Sequence, residues 1–190
     1  MRWSIKDIVG LLAGIISLFA YLPYIKSTIQ KETRPSRSSW WIWSLVGLLI
    51  IFSYYSVGAR STIWVPLVFF LGPLTVAILS IRFGEGTGLN KIDKMCLWGS
   101  LLSLIMWIIF KSAVLALFIN IFIDLLGFLP TLQKTFKNPL YESKISWILF
   151  FTGSILNLLA IKIFSVPITA YPVYMIVMDI IMLFLLFKKT

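Results

Sequence analysis

The chain has 190 residues, 59% hydrophobic and 13% charged, and its mean hydropathy of +0.96 excludes an ordinary water-soluble domain. Its net charge of +10 would suit nucleic acid, but the basic residues sit in short segments between apolar runs, where membrane topology accounts for them, so no nucleic-acid partner is expected. The single cysteine, Cys96, cannot form an intramolecular disulfide, and without histidine the usual structural zinc sets cannot be built, so neither metal nor cofactor is expected.

Long apolar runs predict seven membrane spans, at 7–25, 40–57, 63–81, 95–110, 113–136, 145–161 and 166–187. Seven helices of ~20 residues need ~170 residues, which leaves no room for an extramembrane enzyme. The first run is too long for a signal-peptide core and continues into Pro23 and a basic segment, so it reads as a retained span. Arg2, Lys6, Arg60, Lys111 and Lys162 fall on one side of the membrane. The other twelve Lys and Arg of the 17 (17 − 5) fall on the opposite side. The positive-inside rule then places the N-terminus outside and the C-terminus in the cytoplasm. The expected location is the cytoplasmic membrane of a prokaryote, with the lipid bilayer as partner and a homo-oligomer left open.

The chain repeats itself. Tyr21-Leu22-Pro23 precedes Ser39-Trp40 as Phe128-Leu129-Pro130 precedes Ser146-Trp147, and 130 − 23 and 147 − 40 both equal 107. Each half also has a second proline in the following basic loop, Pro35 or Pro139. The expected fold is therefore all-α and integral to the membrane. It has two parallel three-helix repeats, 1–88 and 112–190, joined by a linker helix at 89–111 in a 3+1+3 arrangement.

These features resemble the PQ-loop superfamily, which includes the SWEET sugar carriers and the lysosomal cystine carrier cystinosin. The stretch Leu126-Gly127-Phe128-Leu129-Pro130-Thr131, followed by Tyr141-Glu142-Ser143-Lys144-Ile145-Ser146, looks like a PQ-loop. Val177-Met178-Asp179-Ile180-Ile181 before Lys188-Lys189 is similar to the last span of cystinosin, where an acidic residue takes part in proton coupling. The glutamine that names the motif is replaced by Tyr24 in the first half and Thr131 in the second. The third span carries Pro66, Gly72 and Pro73 where SWEETs have an asparagine. The resemblance implies transport by alternating access, with Pro23 and Pro130 as hinges in their helices.

Asp124 and Asp179 lie near the middle of their spans. A charged carboxylate at the bilayer centre costs about 2.5–3.5 kcal/mol, so each is expected to face a cavity or a partner. Asn120, Asp124 and Gly127 share one helical face, which should look inward. Either aspartate could take up and release a proton during a conformational change, although hydrogen bonding to a neighbouring helix is an open structural alternative. Asn157 could line the same site or bridge two helices. Tyr171 and Tyr174 could bind a ligand or anchor the last span at the interface. Trp40, Trp41, Trp43 and Trp147 fit an aromatic belt or packing, and the basic loop 26–37 could attract anionic lipid.

The expected function is therefore transport of a small polar solute by alternating access, with the two aspartates as the candidates for proton coupling. The alternative is a binding or sorting receptor like the KDEL receptor, without net flux, although every Lys and Arg here lies near a span end. An intramembrane aspartyl protease built from Asp124 and Asp179 lacks the Tyr-Asp and Gly-x-Gly-Asp contexts of that class, so no catalytic residue is assigned. A retinal pigment would need a mid-membrane lysine in the last span.

Overall fold

The computed structural model describes residues 3–85 and 112–188, together with Lys91, Lys94, Trp98, Gly99, Leu102, Ile105 and Ile109. The rest of the predicted linker helix, with Cys96 and Trp107, lies outside the described residues, as do Arg2, Lys111 and Lys189. Among the described residues six α-helices have defined bounds, in chain order α1 (Ile5–Ile29), α2 (Arg37–Ser56), α3 (Trp64–Phe83), α4 (Ala113–Lys137), α5 (Lys144–Leu159) and α6 (Val166–Phe187). A 3-10 turn, Pro139–Tyr141, joins α4 to α5, and no strand occurs among the described residues. Every helix except α5, which has 16 residues, is long and apolar enough to cross a membrane. Their outer faces are correspondingly apolar, with Phe19, Phe52, Leu71, Phe122 and Phe184 all exposed. Such a set of helices belongs in a bilayer, where a helix satisfies its own backbone hydrogen bonds.

Polar residues define the helix starts. Ser4 and Asp7 form a capping box on α1, and Ser112 and Ser143 accept from the first turns of α4 and α5. The helices pack as a closed ring in the order α1, α3, α2, α4, α6, α5 and back to α1. Exchanging α1 with α4, α2 with α5 and α3 with α6 carries this set of neighbours onto itself.

The registers of burial repeat in the same way. A shift of 107 carries buried Tyr21 to Phe128, Trp40 to Trp147 and Trp43 to Phe150, all buried as well. In the third helix of each half the shift is 106, because Pro66 follows Trp40 by 26 residues (66 − 40) and Pro172 follows Trp147 by 25 (172 − 147). With that shift Pro66 falls on Pro172 and Pro73 on Asp179, again all buried.

Small residues set the closest approaches, as is usual where helices meet in lipid. A Cβ built on Gly10 would lie 1.7 Å from the Ser61 carbonyl oxygen, and one on Gly153 would lie 2.2 Å from Ser17 Oγ. Ser61 Oγ in turn donates to the Ala160 carbonyl at 2.7 Å, so Gly10 sits under a joint between the two interhelical loops. Gly10→Ala must push backbone rather than a side-chain tip. It is expected to cost about 3 kcal/mol, at the upper end of overpacking effects, read as a lowered apparent Tm in detergent. An unchanged Tm would show that the joint gives way freely.

Candidate functional site

The ring of helices encloses a cavity to which all six contribute. Measured as the space open to the centre of a water molecule it is ≈ 30 Å³, room for one or two waters in this conformation. One wall is a collar of six aromatic rings in the order Tyr21, Trp40, Trp43, Phe128, Trp147, Phe150 and back to Tyr21. Successive centroids lie 6.2, 5.1, 5.1, 5.7, 5.6 and 4.8 Å apart. Most of these pairs are edge-to-face or tilted, the arrangement that the ring quadrupoles favour. The collar itself obeys the repeat, since its first three members map onto its last three.

Two carboxyls face this aromatic space. Asp124 Oδ2 accepts a hydrogen bond from the Tyr174 hydroxyl at 2.6 Å, and the Asp124 carbonyl accepts one from Trp43 Nε1 at 3.3 Å. Asp179 Oδ2 accepts from Ser154 Oγ at 2.6 Å. Both acids belong to the second half. Under the repeat their counterparts are Ser17 and Pro73, so a nearly two-fold aromatic cage carries its acidic groups on one side only. Among the described residues no Lys or Arg lines the cavity.

Comparison with protein-family models, with curated proteins and with solved structures finds no match for this chain.

Contacts between the two halves close the bundle at each end. At the end that carries Arg34, Lys134 and Lys144, Glu142 is 4% exposed and joins three helices. It accepts from the Tyr24 hydroxyl at 3.2 Å and from Trp147 Nε1 at 2.9 Å, and it pairs with Lys134. Lys134 Nζ also donates to the Arg34 carbonyl, and Arg34 N donates to the Tyr141 carbonyl at 3.1 Å. At the opposite end the Tyr54 hydroxyl donates to the Ile168 carbonyl at 2.7 Å, and Lys162 pairs with Asp7 at 2.6 Å.

Four of the residues singled out in the sequence therefore meet at one place, namely Asp124, Asp179, Tyr171 and Tyr174. Two do not. Asn120 and Asn157 are buried at 1% and 0% exposure but do not line the cavity, so Asn157 is no part of its wall. Neither side-chain polar atom of Asn157 has a hydrogen-bond partner among the described residues. Pro23 and Pro130 sit inside unbroken helices, two residues beyond the collar members Tyr21 and Phe128. Of the two readings open for the tryptophans, belt and packing, burial favours packing for three. Trp40, Trp43 and Trp147 are core residues, because their rings complete the collar, and only Trp41, 44% exposed, faces outward among the four.

Glu142 is the residue that sequence reasoning passed over, since a carboxylate in a basic loop reads as solvated. Its position directly after the Pro139 turn, eight residues from Lys134, is the only hint the sequence holds.

Proposed function

We propose that the protein is a heptahelical carrier of the PQ-loop type that moves a small polar solute by alternating access. In this reading α1–α3 and α4–α6 are two parallel three-helix repeats, and 89–111 supplies a linker span that lets both insert in the same direction. The N-terminus is outside, the basic end is cytoplasmic, and the membrane is the cytoplasmic membrane of a prokaryote.

One observation carries the reading. A cavity with two carboxyls lies between halves of matching register, and separate sets of polar contacts close it at either end. Opening one set while the other stays shut would expose the cavity to one side at a time. An enzyme reading has less behind it, because the acids bond to different hydroxyls and not to one another.

The test is uptake or exchange in proteoliposomes containing the purified chain. Flux above that of empty vesicles is expected, and binding without flux would turn the assignment to a receptor. Asp124→Asn is expected to cut the rate roughly ten-fold, equivalent to about 1.4 kcal/mol of transition-state stabilisation, and to abolish its response to an imposed pH gradient. A mutant that keeps that response removes proton coupling through this carboxyl.

A further inference from the structure

We infer that the cavity, widened beyond its present one or two waters when one end of the bundle opens, takes a small organic cation, a substituted ammonium or a positively charged ring, in preference to a sugar, a carboxylate or a zwitterion. The inference rests on the same cavity as the carrier reading and adds the charge and shape of its occupant.

The first step is charge. Among the described residues that line the cavity two are carboxyls and none is basic. At the basic end of the bundle Lys134 is already paired with Glu142. An anion entering this space would lose its hydration and gain no counter-charge, and the carboxylate of a zwitterion would suffer the same loss.

The second step is the polar inventory. A sugar needs many donors and acceptors placed around its ring, because a buried hydroxyl without a partner is costly. Here Tyr174 and Trp43 are committed to Asp124 and Trp147 to Glu142, while the amides Asn120 and Asn157 lie outside the lining, so among the described residues only the Tyr21 and Tyr171 hydroxyls and Trp40 Nε1 are left besides the acids, too few for a ring of hydroxyls. What remains in quantity is aromatic surface.

The third step is that aromatic surface attracts cations. The negative ring faces of Trp and Tyr bind substituted ammonium groups, and a carboxylate beside them supplies the charge partner. Asp124 and Asp179 each use Oδ2 on a hydroxyl of the protein, while among the described residues Oδ1 of neither takes part in a hydrogen bond. A bare metal ion fits less well, since apolar walls cannot replace its hydration shell and no metal-holding cluster of acidic, cysteine or histidine groups occurs among the described residues.

The test uses the purified full chain in detergent or nanodiscs, with binding followed by intrinsic fluorescence and by shift in Tm. The probes are choline and benzyltrimethylammonium, compared with the neutral carbon isostere 3,3-dimethylbutan-1-ol, with benzoate, glucose and sodium ion. The cations are expected to raise Tm and to bind roughly ten-fold or more tightly than the isostere. Asp179→Asn is expected to weaken cation binding roughly ten-fold while leaving the isostere unchanged. Equal binding of the isostere, tighter binding of benzoate or glucose, an equal response to sodium alone, or no response to either cation overturns the inference. Those comparisons use the wild-type chain, so they stand even where a variant does not fold. Cation binding without flux in proteoliposomes would sink the carrier reading and leave the ligand class intact. Flux of a neutral solute without cation binding would do the reverse.

Discussion

Glu142→Ala is expected to lower the apparent Tm by about 10 °C, more than any other change at the basic end. The Glu142 side chain is fully buried and that of Lys134 is 9% exposed, so removing the carboxylate strands a nearly buried ammonium. Breaking one partner out of such a pair costs about 3–5 kcal/mol, and a chain of this size loses roughly 2–4 °C per kcal/mol. The pair also has neighbours. Tyr24 and Trp147 donate to the same carboxylate, so the substitution leaves a buried hydroxyl and an indole N–H unsatisfied as well.

Two further variants separate these contributions. Glu142→Gln loses the charge and one of the two acceptor oxygens but keeps the other for either Tyr24 or Trp147, and it should fall between wild type and Glu142→Ala. Lys134→Met combined with Glu142→Gln removes the charge imbalance and should recover much of the loss. Melting curves of the three variants and of Lys134→Met complete a double-mutant cycle, and additive effects would mean that the two side chains do not act as a unit. The pair joins α4 to the loop before α5, and through Tyr24 it reaches α1. In the carrier reading it must therefore release whenever the basic end opens, so Glu142→Gln should also change which side the cavity faces.

Much of this architecture could be read from residue order, for a physical reason. Burial in a helix recurs at fixed positions, so two three-helix sets that pack alike share a buried register even where identities differ. The Pro23/Pro130 and Trp40/Trp147 pairs expose that register directly, and Tyr21/Phe128 then follows. The third helix escaped it, because one residue fewer between Trp147 and Pro172 breaks the spacing that Ser-Trp and Pro set up. Only the burial of Pro66 and Pro172, and of Pro73 and Asp179, shows the two helices to be in register.

The site was legible in its acids and less so in its walls. Asp124 and Asp179 stand out because a carboxyl in an apolar run is costly, whereas a tryptophan near a span end has two good explanations, interface and core. Sequence carries no signal that chooses between them, and the ring geometry does. Asn157, for which the sequence leaves lining the site and bridging two helices both open, shows the converse. Its amide is as conspicuous in an apolar span as an acid, yet it lies on the part of α5 that includes Gly153, whose backbone meets Ser17 of α1, and so it packs away from the cavity. The acids also mark where the correspondence between α1–α3 and α4–α6 fails, since Ser17 and Pro73 stand at the matching positions.

That asymmetry bears on the prolines, which both halves keep. A proline inside a helix removes one backbone hydrogen bond, here the ones that the carbonyls of Phe19 and Leu126 would accept, and alanine in its place is more favourable by up to about 3 kcal/mol. If Pro23 and Pro130 were structural accidents, Pro→Ala would be silent or stabilising and nothing else. Each, however, separates a collar ring from the residue beyond it. Tyr21 precedes Pro23 and Tyr24 follows it, with Tyr24 bonded to Glu142. Phe128 precedes Pro130 and Thr131 follows it, with its hydroxyl buried and unpartnered among the described residues. A bend at either proline would move the collar relative to the contacts that close the basic end. Pro23→Ala and Pro130→Ala are therefore expected to leave Tm unchanged or raised while reducing flux roughly ten-fold, as straightened helices resist the opening step. Paired measurements of Tm and proteoliposome uptake decide the matter. A fall in both would make the prolines packing elements, and full flux would place the moving joint elsewhere in the bundle.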